Sequence, residues 1–351
     1  MSEFDEVLFE NRGSIGLITL NRPRALNSLT GAMAVAIYDQ LNLWADDESV
    51  DAVVVIGEGE KAFCAGGDVV KVSKSYQEGT DEWRAFFHDE YLMNIAIEEF
   101  PKPYISLVDG ITMGGGVGVS IPGDFWVATE KTMFAMPETG LGLIPDVGGG
   151  WFLPRIPGEI GMYLALTGAR MKAPDLYGFG LATHVVTSEQ VPAIIAALSS
   201  ADIEDSDDVA EILNGFHSDP ADAPLAEHVN AIDDIFSDGS VEDILAGLME
   251  NGSEWALKQH KIMMTKSPMS MKVSFEQLRR GARMSTFRDN MIMEFRLVCN
   301  LVEAKDFHEG VRAILIDKDN TPHWSPETLS EITEEDVETF FAPLNKDLDI
   351  K

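Results

Sequence analysis

Short apolar runs and helix-spaced apolar residues take turns along the first half of the chain. The stretch "SIGLITLN" (Ser14–Asn21) alternates and is rich in β-branched residues, which predicts a strand. "ALNSLTGAMAVAIYDQLNLWAD" then carries apolar residues at helical spacing and predicts a helix ending near Ala45–Asp47. "DAVVVIGEG" (Asp51–Gly59), "YISLVDG" (Tyr104–Gly110) and "FWVATE" (Phe125–Glu130) are short apolar runs of the kind found in buried strands. A helical pattern, "EWRAFFHDEYLMNIAIEEF", precedes Pro101. Strands interleaved with helices indicate an α/β protein. After "GLATHVV" (Gly180–Val186) the texture becomes acidic and amphipathic, and "DFHEGVRAIL" and "TEEDVETFF" continue it as helices. The expected organisation is a core over residues 1–195 and a helical region over 196–351.

The 351 residues are 45% hydrophobic and 24% charged, suited to one large domain or two smaller ones. No apolar run approaches the roughly eighteen residues of a membrane span, so no membrane association is expected. The first residues, "MSEFDEVLFENRGSIGLITL", lack a basic n-region and an apolar h-region, so no targeting peptide is expected. Cys64 and Cys299 are too few for a disulfide framework or a cysteine metal site. No metal is therefore expected, and the default location is cytoplasmic. The net charge of −33 argues against nucleic acid as a partner. Lys and Arg are absent from Ala173 to Leu257 and then return from Lys258 to Arg288, a basic island of the kind an anionic ligand needs.

Candidate chemistry lies in three glycine-rich segments: "KAFCAGGDVV" (Lys61–Val70), "GITMGGGVGVSIPGD" (Gly110–Asp124) and "FAMPETGLGLIPDVGGG" (Phe134–Gly150). None has the spacing of a dinucleotide fingerprint or a phosphate loop. Glycine lets a backbone approach a ligand closely, and two N–H groups aimed at one oxygen form an oxyanion hole, each donor being worth about 3 kcal/mol. The third segment sets two acids, Glu138 and Asp146, among apolar residues, where an unpartnered carboxylate costs several kcal/mol.

Taken in order, these segments resemble the enoyl-CoA hydratase/isomerase (crotonase) superfamily, and "LNRPRALNSL" (Leu20–Leu29) resembles its first CoA-binding segment. Longer stretches, including "ATEKTMFAMPETGLGLIPDVGGGWFLPR" and "DFHEGVRAILIDKD", resemble its 3-hydroxyisobutyryl-CoA hydrolase branch. The resemblance implies a crotonase-like ββα superhelix core with a helical C-terminal region. It implies oxyanion donors at Ala65 and Gly115, a catalytic acid at Glu138, and substrate contacts at Glu90 and Asp146. Arg22, Arg24, Ala25 and Leu26, with Gly66, Gly67 and Asp68, would line the CoA path. CoA enters as part of an acyl-CoA substrate, so no cofactor is expected. The hydratases' second catalytic Glu falls here on Gly118, which argues against simple hydration and for thioester hydrolysis by Glu138 with Asp146.

Other readings stay open. Glu138 after Pro137 fits a helix N-terminal acid, Asp146 after Pro145 fits an N-cap, and Glu90, within a helix, fits a plain surface acid or a structural partner. An isomerase can run on one carboxylate, and a silent CoA-binding protein would keep the fold without turnover. A homo-oligomer is open as well, because the superfamily often forms trimers or hexamers while the extended C-terminal region could cover that surface.

Overall fold

The computed structural model describes residues 6–350. Its strands are β1 (Val7–Arg12), β2 (Ile15–Leu20), β3 (Ala52–Gly57), β4 (Ala62–Cys64), β5 (Tyr104–Val108), β6 (Ile111–Met113), β7 (Phe125–Thr129), β8 (Met133–Ala135), β9 (Met171–Lys172) and β10 (His184–Val186). The four runs read as strands from their apolar pattern became β2, β3, β5 and β7. Beyond β10 every regular element among the described residues is helical.

Two compact units emerge from the packing, and the chain passes between them more than once. Among the described residues one comprises 6–67, 89–134 and 171–226, the other 68–88, 135–170 and 227–350.

In the first unit, β1-β2-β3-β5-β7-β10 form a six-stranded sheet, with β1 antiparallel to β2 and the remaining pairs parallel. Val53 stands opposite Tyr104, and Leu107 opposite Val127. Every residue of β5 and β7 is buried, as expected for parallel strands covered on both faces. Ile15, Val54, Ile105 and Val127 form one core with Ile194, Leu198, Val209 and Leu213 from the helices Val191–Ser200 and Ser206–Asn214. Strands β4, β6, β8 and β9 form a second sheet. At two or three residues each they are too short to show an alternating pattern, so periodicity does not reveal them. The early helix also starts later than its apolar spacing suggests. Leu26 and Asn27 adopt left-handed backbone (φ +52° and +56°), and Thr30 caps Gly31–Ala45 by accepting from the Met33 amide at 3.2 Å.

The second unit is nearly all helical. The helix Phe287–Glu303 buries Met291, Glu294, Phe295 and Val298 along one side. The helix Pro268–Gly281 approaches the short turn Gly149–Phe152 so closely that a Cβ on Gly281 would stand 1.8 Å from the Gly150 carbonyl oxygen. No helix among the described residues is long and apolar enough to cross a membrane.

Candidate active site

The first unit carries a backbone site. The helix Gly115–Gly118 starts directly after β6, and β4 runs parallel beside β6. Glycine is required here by contact: a Cβ on Gly116 would lie 2.1 Å from the Cys64 carbonyl oxygen, and one on Gly115 would lie 2.5 Å from Glu90 Oε1. The same point above Gly115 is 3.3 Å from the Gly67 amide nitrogen. Among the described residues, no acceptor takes the amide protons of Gly67 or Gly115.

Ala65 differs from expectation. Its amide donates to the Leu26 carbonyl at 3.0 Å, which stitches the Arg22–Leu26 loop to the end of β4. That bond commits the N–H expected in the oxyanion hole, and the amide nitrogen nearest the side-chain position of Gly115 is that of Gly67. The chain just after Arg22 to Ala25 does meet the Ala65–Gly67 segment, through Leu26 on Ala65 and through Leu29, which bridges to Gly67 and donates its amide to the Gly66 carbonyl. Arg22 holds its own loop, donating to the Ser28 carbonyl at 2.5 Å and pairing with Glu6 at 3.1 Å. Arg24 and Ala25 are exposed.

Glu90 is 2% exposed, so it is no surface acid. Cys64 is fully buried, and burial, with the Glu90 charge adding to it, pushes its thiol up to about 12. A thiol so rarely ionised is no nucleophile.

The second unit carries the acids. Glu138 opens the turn Glu138–Gly140 and is buried, and no hydrogen-bond donor reaches its Oε2 among the described residues. Burial pushes its carboxyl well above the usual range and the Asp146 charge adds to this, while a backbone hydrogen bond and the Lys266 ammonium oppose it. Asp146 is buried as well. It caps no helix, because the residue at the cap of Gly149–Phe152 is Gly148. Asp68 is the acid that does cap: it accepts from the Lys71 amide at the start of Val69–Gln77 and pairs with the Lys71 side chain at 3.3 Å.

Two residues of this unit escaped the sequence reading. Lys266 belongs to the basic burst, yet burial lowers its ammonium pKa while Glu138 supports its charge. The Ser267 amide beside it donates to the Thr139 carbonyl, next to Glu138. Glu294 has no exposed surface, and burial pushes it up to about 8. Its signal was present in the sequence as an acid inside the apolar stripe of "NMIMEFRLV". Two others of the burst are paired with acids, Lys272 with Glu242 at 2.6 Å and Arg280 with Glu276 and Glu338. Among the described residues no cluster of His, Cys, Asp or Glu is arranged to hold a metal ion.

A family description, enoyl-CoA hydratase/isomerase, matches residues 15–341. The chain belongs to the enoyl-CoA hydratase/isomerase family. The chain is 48% identical to 3-hydroxyisobutyryl-CoA hydrolase, mitochondrial, of Danio rerio, over 97% of this chain and 90% of that one. Against the Homo sapiens protein of the same name it is 44% identical, over 97% and 89%. Among solved structures, a carnitinyl-CoA dehydratase from Mycobacterium thermoresistibile is 40% identical with a TM-score of 0.93, covering 99% of both chains. An enoyl-CoA hydratase from Rhodobacter sphaeroides is 35% identical with a TM-score of 0.90, covering 99% of this chain and 100% of the other. The crotonase-type α/β fold expected from sequence is thereby established for this family member. The cytoplasmic location is overturned, since these curated relatives are mitochondrial enzymes. Few cysteines and an acidic composition suit either compartment, so they carry no information on the choice.

Proposed function

We propose that this family member hydrolyses 3-hydroxyisobutyryl-CoA to the free hydroxy acid and CoA. The observation that carries the reading is near-full-length identity to hydrolases of that substrate, in a chain whose acids are Glu138 and Asp146. The solved relatives named as a hydratase and a dehydratase pull the other way. The residue at the resembled second-acid position supports the hydrolase reading: Gly118 is buried, has no side chain, and accepts at its carbonyl from Asn94 Nδ2 at 2.9 Å. Adding water across a double bond benefits from two carboxylates sharing the proton work, and only one of that pair is present.

In this reading the amides of Gly67 and Gly115 receive the negative charge that develops on the thioester oxygen. The Glu138 carboxylate either attacks the carbonyl carbon, giving a mixed anhydride that water cleaves, or takes a proton from the attacking water. In both routes the sulfur leaves with the C–S electron pair and is protonated to free CoA. Asp146 orients the substrate hydroxyl or the water, or supplies that proton. Glu90, buried with its Oε1 close to Gly115, contacts the bound substrate beside that amide. Substrate acyl-CoA brings its own CoA, so the reaction needs no resident cofactor.

A panel of 3-hydroxyisobutyryl-CoA, 3-hydroxypropionyl-CoA, crotonyl-CoA and a 3-enoyl-CoA, scored for released thiol and for double-bond absorbance, tests the proposal. Thiol release from the hydroxyacyl esters alone is the expected result. Hydration or isomerisation without thiol would overturn it, and saturable CoA binding with no turnover would mean a silent binding protein.

A further inference from the structure

The loop that presents Asp146 is held from both sides by buried side chains of two later helices. Glu294 Oε2 accepts from the Gly148 amide at 2.8 Å, and Oε1 accepts from the Gly150 amide at 2.7 Å. Oε1 also accepts from Asn290 Nδ2 at 2.9 Å and from Gln277 Nε2 at 3.2 Å. Gln277 Nε2 in turn donates to the Pro145 carbonyl at 2.8 Å. The anchors therefore fall on the residue before Asp146 and on the second and fourth residues after it.

Between those anchors the backbone is strained. Val147 takes φ +51°, the left-handed region that disfavours a β-branched side chain, and Gly148 follows at +97°. Left to itself, Val147 would return to ordinary backbone and swing Asp146 with it. A buried carboxyl is a costly way to fasten a loop. Its advantage is that it offers two oxygens to two amides two residues apart in the chain, with capacity left for two side-chain amides. A Cβ on Gly150 would stand 2.6 Å from Asn290 Oδ1 and 3.1 Å from Glu294 Oε1, so the loop and its clamp fit without slack.

We propose that Glu294 is a positioning residue: it fixes the Pro145–Gly150 backbone so that Asp146 keeps its working orientation, with Gln277 holding the other end. The proposal deepens the hydrolase reading and rests on Asp146 taking part in the chemistry. The Asp146 charge also acts on both Glu138 and Glu294, which places the clamp and the two acids in one electrostatic network.

The test is a double-mutant cycle in the full chain, following thiol release from 3-hydroxyisobutyryl-CoA. Glu294→Gln should lower kcat by about 10- to 100-fold with KM within about threefold, the loss expected when a catalytic group drifts by up to an ångström. Glu294→Gln combined with Asp146→Asn should be no worse than Asp146→Asn alone, because both changes remove one function. If Glu294→Gln gives no folded protein, Gln277→Met carries the same test, with kcat down about tenfold and the same lack of additivity. Wild-type kcat in the clamp variant beside an impaired Asp146→Asn overturns the positioning role alone, as do effects that multiply. Wild-type turnover in Asp146→Asn overturns the reading of Asp146 and the clamp's role with it.

Discussion

The two units supply the proposed chemistry by opposite means. In the first, the functional atoms are backbone amides, and the sequence requirement is the absence of side chains at Gly115 and Gly116, where any Cβ would strike Glu90 or the Cys64 carbonyl. In the second, the functional atoms are carboxylates on side chains, buried at a cost and restrained by other polar groups: Lys266 near Glu138, Glu294 and Gln277 around the Asp146 loop. An amide site is fixed by the fold itself, so damage to it should appear as loss of structure. A carboxylate site is fixed by compensating charges and hydrogen bonds, so damage there should appear as loss of turnover with the fold intact.

The largest expected effect tests the first half of that contrast. Gly116→Ala pushes a methyl into a backbone carbonyl 2.1 Å away, which rotamer changes cannot relieve. It should cost about 3 kcal/mol or more, read as a drop in Tm of many degrees or as insoluble protein. A variant that melts like wild type would show that the helix start at Gly115 yields easily and would break the contrast.

Glu138→Gln tests the second half. Thiol release should fall by about a thousandfold, on the scale of removing a general base or nucleophile, while CoA binding persists. Tm should hold or rise, because the substitution removes a buried carboxyl whose charged form is disfavoured. Near-wild-type turnover would remove Glu138 from the reaction.

Electrostatic compensation gives a smaller, pH-dependent effect. Glu138 must be ionised to attack or to accept a proton, and its pKa is raised. Activity should therefore disappear as pH falls through a midpoint above the ordinary glutamate range, not near 4.5. The groups acting on it are Asp146, which raises that midpoint, and Lys266, which lowers it. Lys266→Met should move the acid limb of kcat further up, depressing turnover about tenfold near neutral pH and restoring it at higher pH. An unmoved limb in a full pH–rate profile would detach Lys266 from Glu138.

Cys64 provides the smallest effect. Its buried thiol, raised to about 12, serves packing, so Cys64→Ala should keep kcat within about twofold and lower Tm by a few degrees. A kinetic loss without a thermal one would mean that the end of β4 tunes the amides directly.

Much of the framework was legible because it depends on near neighbours in sequence. Runs such as "DAVVVIG" and "YISLV" are buried strands on their own evidence, and three glycine segments with two acids in apolar company marked the chemistry. Ranking the amides was not legible. "CAGGD" offers several N–H groups within a few residues, and only the folded chain shows that Ala65 is committed to Leu26 and that the Gly67 nitrogen lies close to Gly115. Nor could composition tell a mitochondrial relative from a cytoplasmic one.

By itself, then, the sequence determined the longer buried strands and the main helices, where glycine clusters, and which acids lack polar neighbours, since all three follow from local pattern and residue chemistry. Tertiary structure alone decided the partners: Glu294 reaches the amides of Gly148 and Gly150 from 146 and 144 residues away, and Gln277 reaches Pro145 from 132. Hydrogen bonds and charges act through space over a few ångströms, and a chain read residue by residue carries no measure of that distance.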